Sequence, residues 1–164
     1  MKATDYAKSQ IEQVFGLLNK CAEGMDEAQY NFSPPGTCNS VAKSHVHAAS
    51  GIDFFLIRML KGGDMLWPGF GPAHGLPANP QEIWGYDGVI PLAAVQEFSA
   101  KAQKVALEYI ATLSDADLDR EVDTQFFGKK SAGWVLQLLG MHTAGHAGDM
   151  ATVKGMQGLK GLPF

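Results

Sequence analysis

The sequence predicts an all-α fold, a four-helix bundle, on three observations. Apolar residues recur at three- and four-residue intervals in four separate stretches, strand-like alternation is confined to one short segment, and a long aromatic-rich connection divides the four stretches into two pairs. That connection, from Gly62 to Ile90, far exceeds the short turn between antiparallel neighbours and can cross the whole bundle. Helices two and three can then run parallel, in up-down-down-up order, with helices two and four antiparallel.

In the first stretch Ile11, Val14, Phe15, Leu18, Ala22 and Met25 share one face, behind an expected cap at Thr4 or Asp5. The second opens after Asn39-Ser40, both good caps, and stops at Gly62-Gly63. The crossover that follows holds Trp67, Phe70, Trp84 and Tyr86 among Pro68, Pro72, Pro77 and Pro80. Such aromatic density suits a segment packed on the bundle, either as plain cover for the core or as a lid. Pro91 fits the opening of the third helix, whose stripe is Val95, Phe98, Ala102, Val105, Tyr109 and Leu113. Ser114-Asp115-Ala116-Asp117-Leu118 reads as one extra capped turn, and Val122, Thr124 and Phe126 as a small extended or hairpin segment. The fourth helix starts near Ser131 and runs from Trp134 to about Val153. Repeated glycine should fray the tail from Lys154, whose Met156, Leu159 and Leu162 would be explained by docking on another helix or a second subunit.

Composition bounds the function. With 46% apolar and 18% charged residues, the 164-residue chain suits one domain over 1–164. A net charge of −4 without any basic run argues against nucleic acid as a partner. Arg58 and Lys61 interrupt the most apolar run, and Met1 to Phe15 lacks the apolar stretch of a signal peptide, so no membrane association is expected. Cys21 and Cys38 form no CxxC pair and read as reduced thiols in a cytoplasm.

The chemistry centres on His142-Thr-Ala-Gly-His146. An i, i+4 spacing stacks two imidazoles on one helix face, where their neutral nitrogens can converge on one divalent cation. Five histidines in 164 positions give roughly 0.15 such pairs by chance, so a third ligand is needed. On a helical wheel Val135, Leu138, Leu139, Met150 and Val153 flank His142, while Gln137, Thr143 and Lys154 fall outside that sector, so both rings should point into the bundle. Two hydrogen-bonded core histidines would satisfy the same pattern. Helix two offers His45 or His47, which lie about 200° apart. His45 shares an apolar stripe with Val41, Ile52, Leu56 and Met59; His47 shares its face with Lys43, Ser50, Gly51, Phe54 and Arg58, where small residues leave room beside the ring. Spacing does not decide between them. His74 is a lone crossover histidine that could reach the site or stay inert, Asp149 could orient a ligand or make an edge contact, and Met141 and Met150 read as core.

These residues together resemble the DinB/YfiT-like metal-binding four-helix bundles, which are unrelated in fold to the DNA polymerase sharing the first name. The likeness covers most of the chain. It rests on Ser40-Val41-Ala42, His47 and Phe55-Leu56-Ile57-Arg58 in helix two, on His142, His146, Gly148 and Asp149 in helix four, and on the Leu113 to Leu118 segment. The resemblance implies His47 as the third ligand, with His45 at a position that is usually apolar. At about 10 Å into helix two, His47 also stands level with the C-terminal half of an antiparallel helix four. Three histidines on one side of an ion leave positions open for water or substrate. Zinc suits this set best, with nickel, iron and cobalt also able to take imidazole. Members of the family include thiol-dependent isomerases and S-transferases using low-molecular-weight bacterial thiols, alongside many without an assigned activity, and the family also implies a homodimer. The expected function is therefore a metal-dependent enzyme of the thiol S-transferase or hydrolase type acting on a small molecule; the alternative is a non-catalytic, stress-associated bundle with a structural metal. Thr143 stands where a His-Glu-x-x-His protease carries its base, and the Glu-x-x-His pairs of di-iron bundles are absent.

Overall fold

The computed structural model describes all residues, Met1–Phe164. Four long helices form the body: α1 (Ala3–Ala22), α3 (Val41–Ile52), α5 (Leu92–Ile110) and α6 (Ala132–Met156), with a short α2 (Glu27–Asn31) after the first. α1 packs on α5 and α6, and α3 packs on the same two, so each of the first pair touches both of the second. Ile11, Phe15, Leu18, Val46, Ile52, Leu56, Val95, Phe98, Val135 and Leu139 fill the space between them, all buried.

The start of α1 lies two to three residues before the expected cap: Lys2 is the capping residue, its N–H donates to Asp5 Oδ2 at 3.4 Å, and a distant residue adds to this local bond. Thr4 lies inside the first turn, and its backbone N–H and hydroxyl donate to Asp115 Oδ1 at 2.9 and 2.8 Å. A carboxylate 111 residues away thus satisfies the free amides at the positive end of the helix. The Thr4 bonds hold Asp115 below the usual carboxylate range. Ser40 and Ser131 cap α3 and α6 as expected, accepting from Lys43 N and Trp134 N at 3.2 Å.

Beyond Ile52 the second long helix widens to a π-helical stretch, Asp53–Leu60, and Lys61 N–H donates to Leu56 O five residues back. Asp53 is fully buried, and its carboxylate accepts from Leu66 N–H and Trp67 N–H at 2.8 Å. Those amides open α4 (Trp67–Ala73), so the crossover is helical where the sequence reads as a connection; a 3-10 turn follows at Pro80–Gly85. Trp67, Phe70 and Ile83 are buried core cover, while Trp84 is only half buried. A 3-10 turn at Asp115–Asp119 and an antiparallel hairpin, β1 (Glu121–Asp123) with β2 (Lys129–Ser131), lead into α6.

Two stripes differ from their sequence reading. On α5 burial continues through Ala106 and Ile110 rather than Val105, Tyr109 and Leu113, because a straight helix drifts off a heptad line. On α6 Thr143 and Lys154 are buried and Met141 is 64% exposed, reversing their expected sides. The helix is covered by both α1 and α3, so its buried arc is wider than one stripe, and its centre lies nearer Thr143, Ala147 and Met150 than His142. In the tail Leu159 packs on the core, whereas Met156 and Leu162 are exposed. No helix is long and apolar enough to cross a membrane.

Candidate metal centre

α3 and α6 bring three histidines together. His47, His142 and His146 each offer a ring nitrogen, and the three nitrogens lie within 4.8 Å of one another. The Nε2 atoms of His47 and His142 face each other at 3.0 Å, and the His146 ring stands nearly edge-on to His47 and His142 at 4.7 and 4.6 Å between centroids. Helical spacing aligns His142 and His146, and α6 lies alongside α3 in the opposite sense: Gly51 and Phe55 meet His142, while His47 meets both His142 and His146. Glycine at 51 makes that approach feasible, since a Cβ there would sit 2.7 Å from Cε1 of His142.

The polar atoms suit a cation. One proton between two facing Nε2 atoms satisfies a single His–His contact, and Nδ1 of His47 and of His142 is buried with no protein partner. A divalent ion would take all three lone pairs; two imidazoles on one tetrahedral zinc are separated by roughly 3.3 Å, close to the spacing of the facing pair. Burial drives both His47 and His142 down to about 4, with the neighbouring His146 charge adding to each shift. Both are therefore neutral near pH 7, the form that ligates. Asp149 Oδ2 lies 3.2 Å from His146 Nδ1 at an angle that makes no hydrogen bond, an edge contact by a carboxylate that is itself 64% exposed.

Of the other histidines, His45 is fully buried and its Nδ1 meets the Tyr30 hydroxyl at 3.0 Å, on the side of α2. His74 stacks on Phe70 with centroids 4.1 Å apart, and its Nδ1 meets Phe70 O. Neither belongs to the cluster. Trp84 packs against it: its ring centroid lies 4.7 Å from that of His47, and its carbonyl accepts from Lys43 Nζ at 2.9 Å. Sequence reasoning grouped this residue with the crossover aromatics and gave it no separate role. Its one distinguishing signal is a place four residues after Pro80, at the end of a tight turn.

A cavity of about 320 Å³ opens on His47 and His142. Phe54, Phe55 and Phe126 form an aromatic wall, and Asn79 and Gln81 of the crossover also line the space.

The fold is similar to three solved structures. A conserved protein from Enterococcus faecalis matches with a TM-score of 0.76 and 17% identity, over 94% of this chain and 96% of that one. A DinB-like protein from Bacillus subtilis, YjoA, matches at 0.69 and 18%, over 97% and 96% of the two chains. The Sibling Lethal Factor precursor DfsB matches at 0.69 and 15%, over 97% and 99%. No curated protein matches the sequence. The family model described as the DinB superfamily matches residues 10–150, which include every residue of the histidine cluster, and the chain belongs to that superfamily.

Proposed function

We propose that this protein is a metal-dependent enzyme in which His47, His142 and His146 hold one divalent ion, zinc by the chemistry of the donor set, and that it transfers a low-molecular-weight thiol to a small electrophile. The carrying observation is the meeting of three convergent imidazoles with a cavity that reaches two of them. Such an ion, when bound, supplies Lewis acidity that holds a thiol or water in its deprotonated form.

The surrounding side chains bind and shield. Trp84 covers the His47 ring and closes one approach, while the phenylalanine wall keeps the other approach dry. Hydrolysis is the less supported branch, because the cavity wall has no carboxylate to serve as a general base, and Asp149, beside His146, lines a different surface pocket. Free thiols at Cys21 and Cys38 agree with a reducing cytoplasm, and a homodimer remains the expected assembly.

A second reading has its own observation: the cluster joins α3 to α6, so an ion there would also tie the bundle together. Elemental analysis should find about one divalent ion per chain, and thiol conjugation of a model electrophile should vanish in a folded His47→Ala variant. Metal at full stoichiometry with no turnover, but a large fall in melting temperature on chelation, would decide for the structural role. Full metal content in His47→Ala or His142→Ala would sink the site.

A further inference from the structure

The cavity beside the histidines has a chemical character of its own. Its aromatic wall is continuous: His142 meets Phe55 at 5.8 Å between centroids, Phe55 meets Phe54 at 5.3 Å, and Phe54 meets Phe126 at 5.9 Å. Asn79 and Gln81 supply amides, and no Asp, Glu, Lys or Arg lines the space. A cationic ligand would leave water there without a counter-charge from any lining side chain, and beside any ion held by the histidines, whereas a neutral ring loses little and gains edge and face contacts.

Phe55 of this wall also packs against the core, whereas Phe54 and Phe126 do not. Phe54 and Phe55 line the cavity as the i+7 and i+8 continuation of the helix face that carries His47, Ser50 and Gly51. Phe126 is 71% exposed, so it adds little to folding, but the hairpin tip fixes its place. Buried Thr124 donates through Oγ1 to Gly128 O at 2.7 Å and accepts from Phe127 N at 2.9 Å, and Gln125 takes a left-handed φ of 61°.

We infer that this cavity binds a flat aromatic small molecule that carries no positive charge, its ring against Phe54, Phe55 and Phe126 and its hydrogen-bonding substituent at Asn79 or Gln81. As the electrophile of thiol transfer this ligand rests on the function proposed above; as a ligand it does not.

The test uses the full-length protein as purified, with its metal content measured on the same sample. Calorimetric titration with 2-naphthalenemethanol is compared with 2-naphthylmethylammonium, which carries the same ring and a charge that cannot ligate metal. The alcohol should bind at least about tenfold more tightly, and Phe126→Ala should weaken it about three- to tenfold with an unchanged melting temperature. Equal binding of the ammonium compound, no binding of the alcohol, or an unaffected Phe126→Ala would each overturn the inference. Alcohol binding in a sample that takes up no metal would remove the metal reading and leave this one standing; metal at full stoichiometry without alcohol binding would do the reverse.

Discussion

His45 and His47 stand two residues apart on α3 and meet opposite surroundings. His45 is sealed against α2 with one phenol as its company, whereas His47 is half buried, covered by Trp84 and faced by two further imidazoles. Depth does not make a ligand. The apolar stripe of a helix is where a lone neutral histidine can be stored against one hydrogen-bond partner. A metal site needs convergent nitrogens and room, and on α3 these lie on the face with Ser50 and Gly51.

The sharpest way to break this contrast is to remove each ring in turn. His47→Ala should lower metal affinity more than about 100-fold, beyond the loss usual for an outer-shell partner, and bring bound metal close to zero by elemental analysis. His45→Ala should keep the metal and instead lose about 2 to 3 kcal/mol of stability in urea. The reverse pattern would exchange their roles.

Proton linkage separates them next. Burial lowers His45 from 6.5 to about 4. Between those values the unfolded chain takes up a proton that the folded chain refuses, so stability falls as pH drops from about 6.5 to 4 and is independent of this ring above that window. The ring accounts for on the order of 3 kcal/mol. In chelator, His47 and His142 act in the same direction, so His45→Leu should make the denaturation profile shallower by about one proton rather than flat.

Smaller effects probe the neighbours. Gly51→Ala presses on the His142 ring and should weaken metal binding about tenfold, measured by competition with a chromogenic chelator, while Gly145→Ala, with open space around its Cβ, should not. Tyr30→Phe should cost about 1 kcal/mol by leaving His45 Nδ1 without its partner, and should leave metal affinity unchanged. A loss of metal in that variant would show that the two histidine environments are coupled.

Much of this organisation was legible in the chain. Ser40 and Ser131 cap their helices through bonds spanning three residues, and the i, i+4 histidines follow from helix geometry alone. What escaped depends on distant partners. Asp115 adds to the local Asp5 bond at the start of α1, and the start of α4 is held by Asp53, so part of the signal for each boundary lies outside the neighbouring sequence. Met141 went to solvent and Thr143 inward because α6 is covered on two sides, and one wheel centred on the histidines misplaces that arc. His47 could not be chosen over His45 by spacing, since the choice depends on which side of α3 meets α6; family resemblance carried it. Trp84 reaches its place through the tertiary course of the crossover, with Lys43 on its carbonyl.

The histidine cluster also sets a timetable. Its members come from the second long helix and from the last, with His47 and His142 separated by 95 positions in the sequence. During synthesis from the N-terminus a chain released before residue 142 presents one imidazole where three are needed, and α6 must dock before the remaining two face it. Loading of the ion would therefore select chains that are both finished and folded, and truncated or misdocked products would compete poorly for scarce metal in the cell.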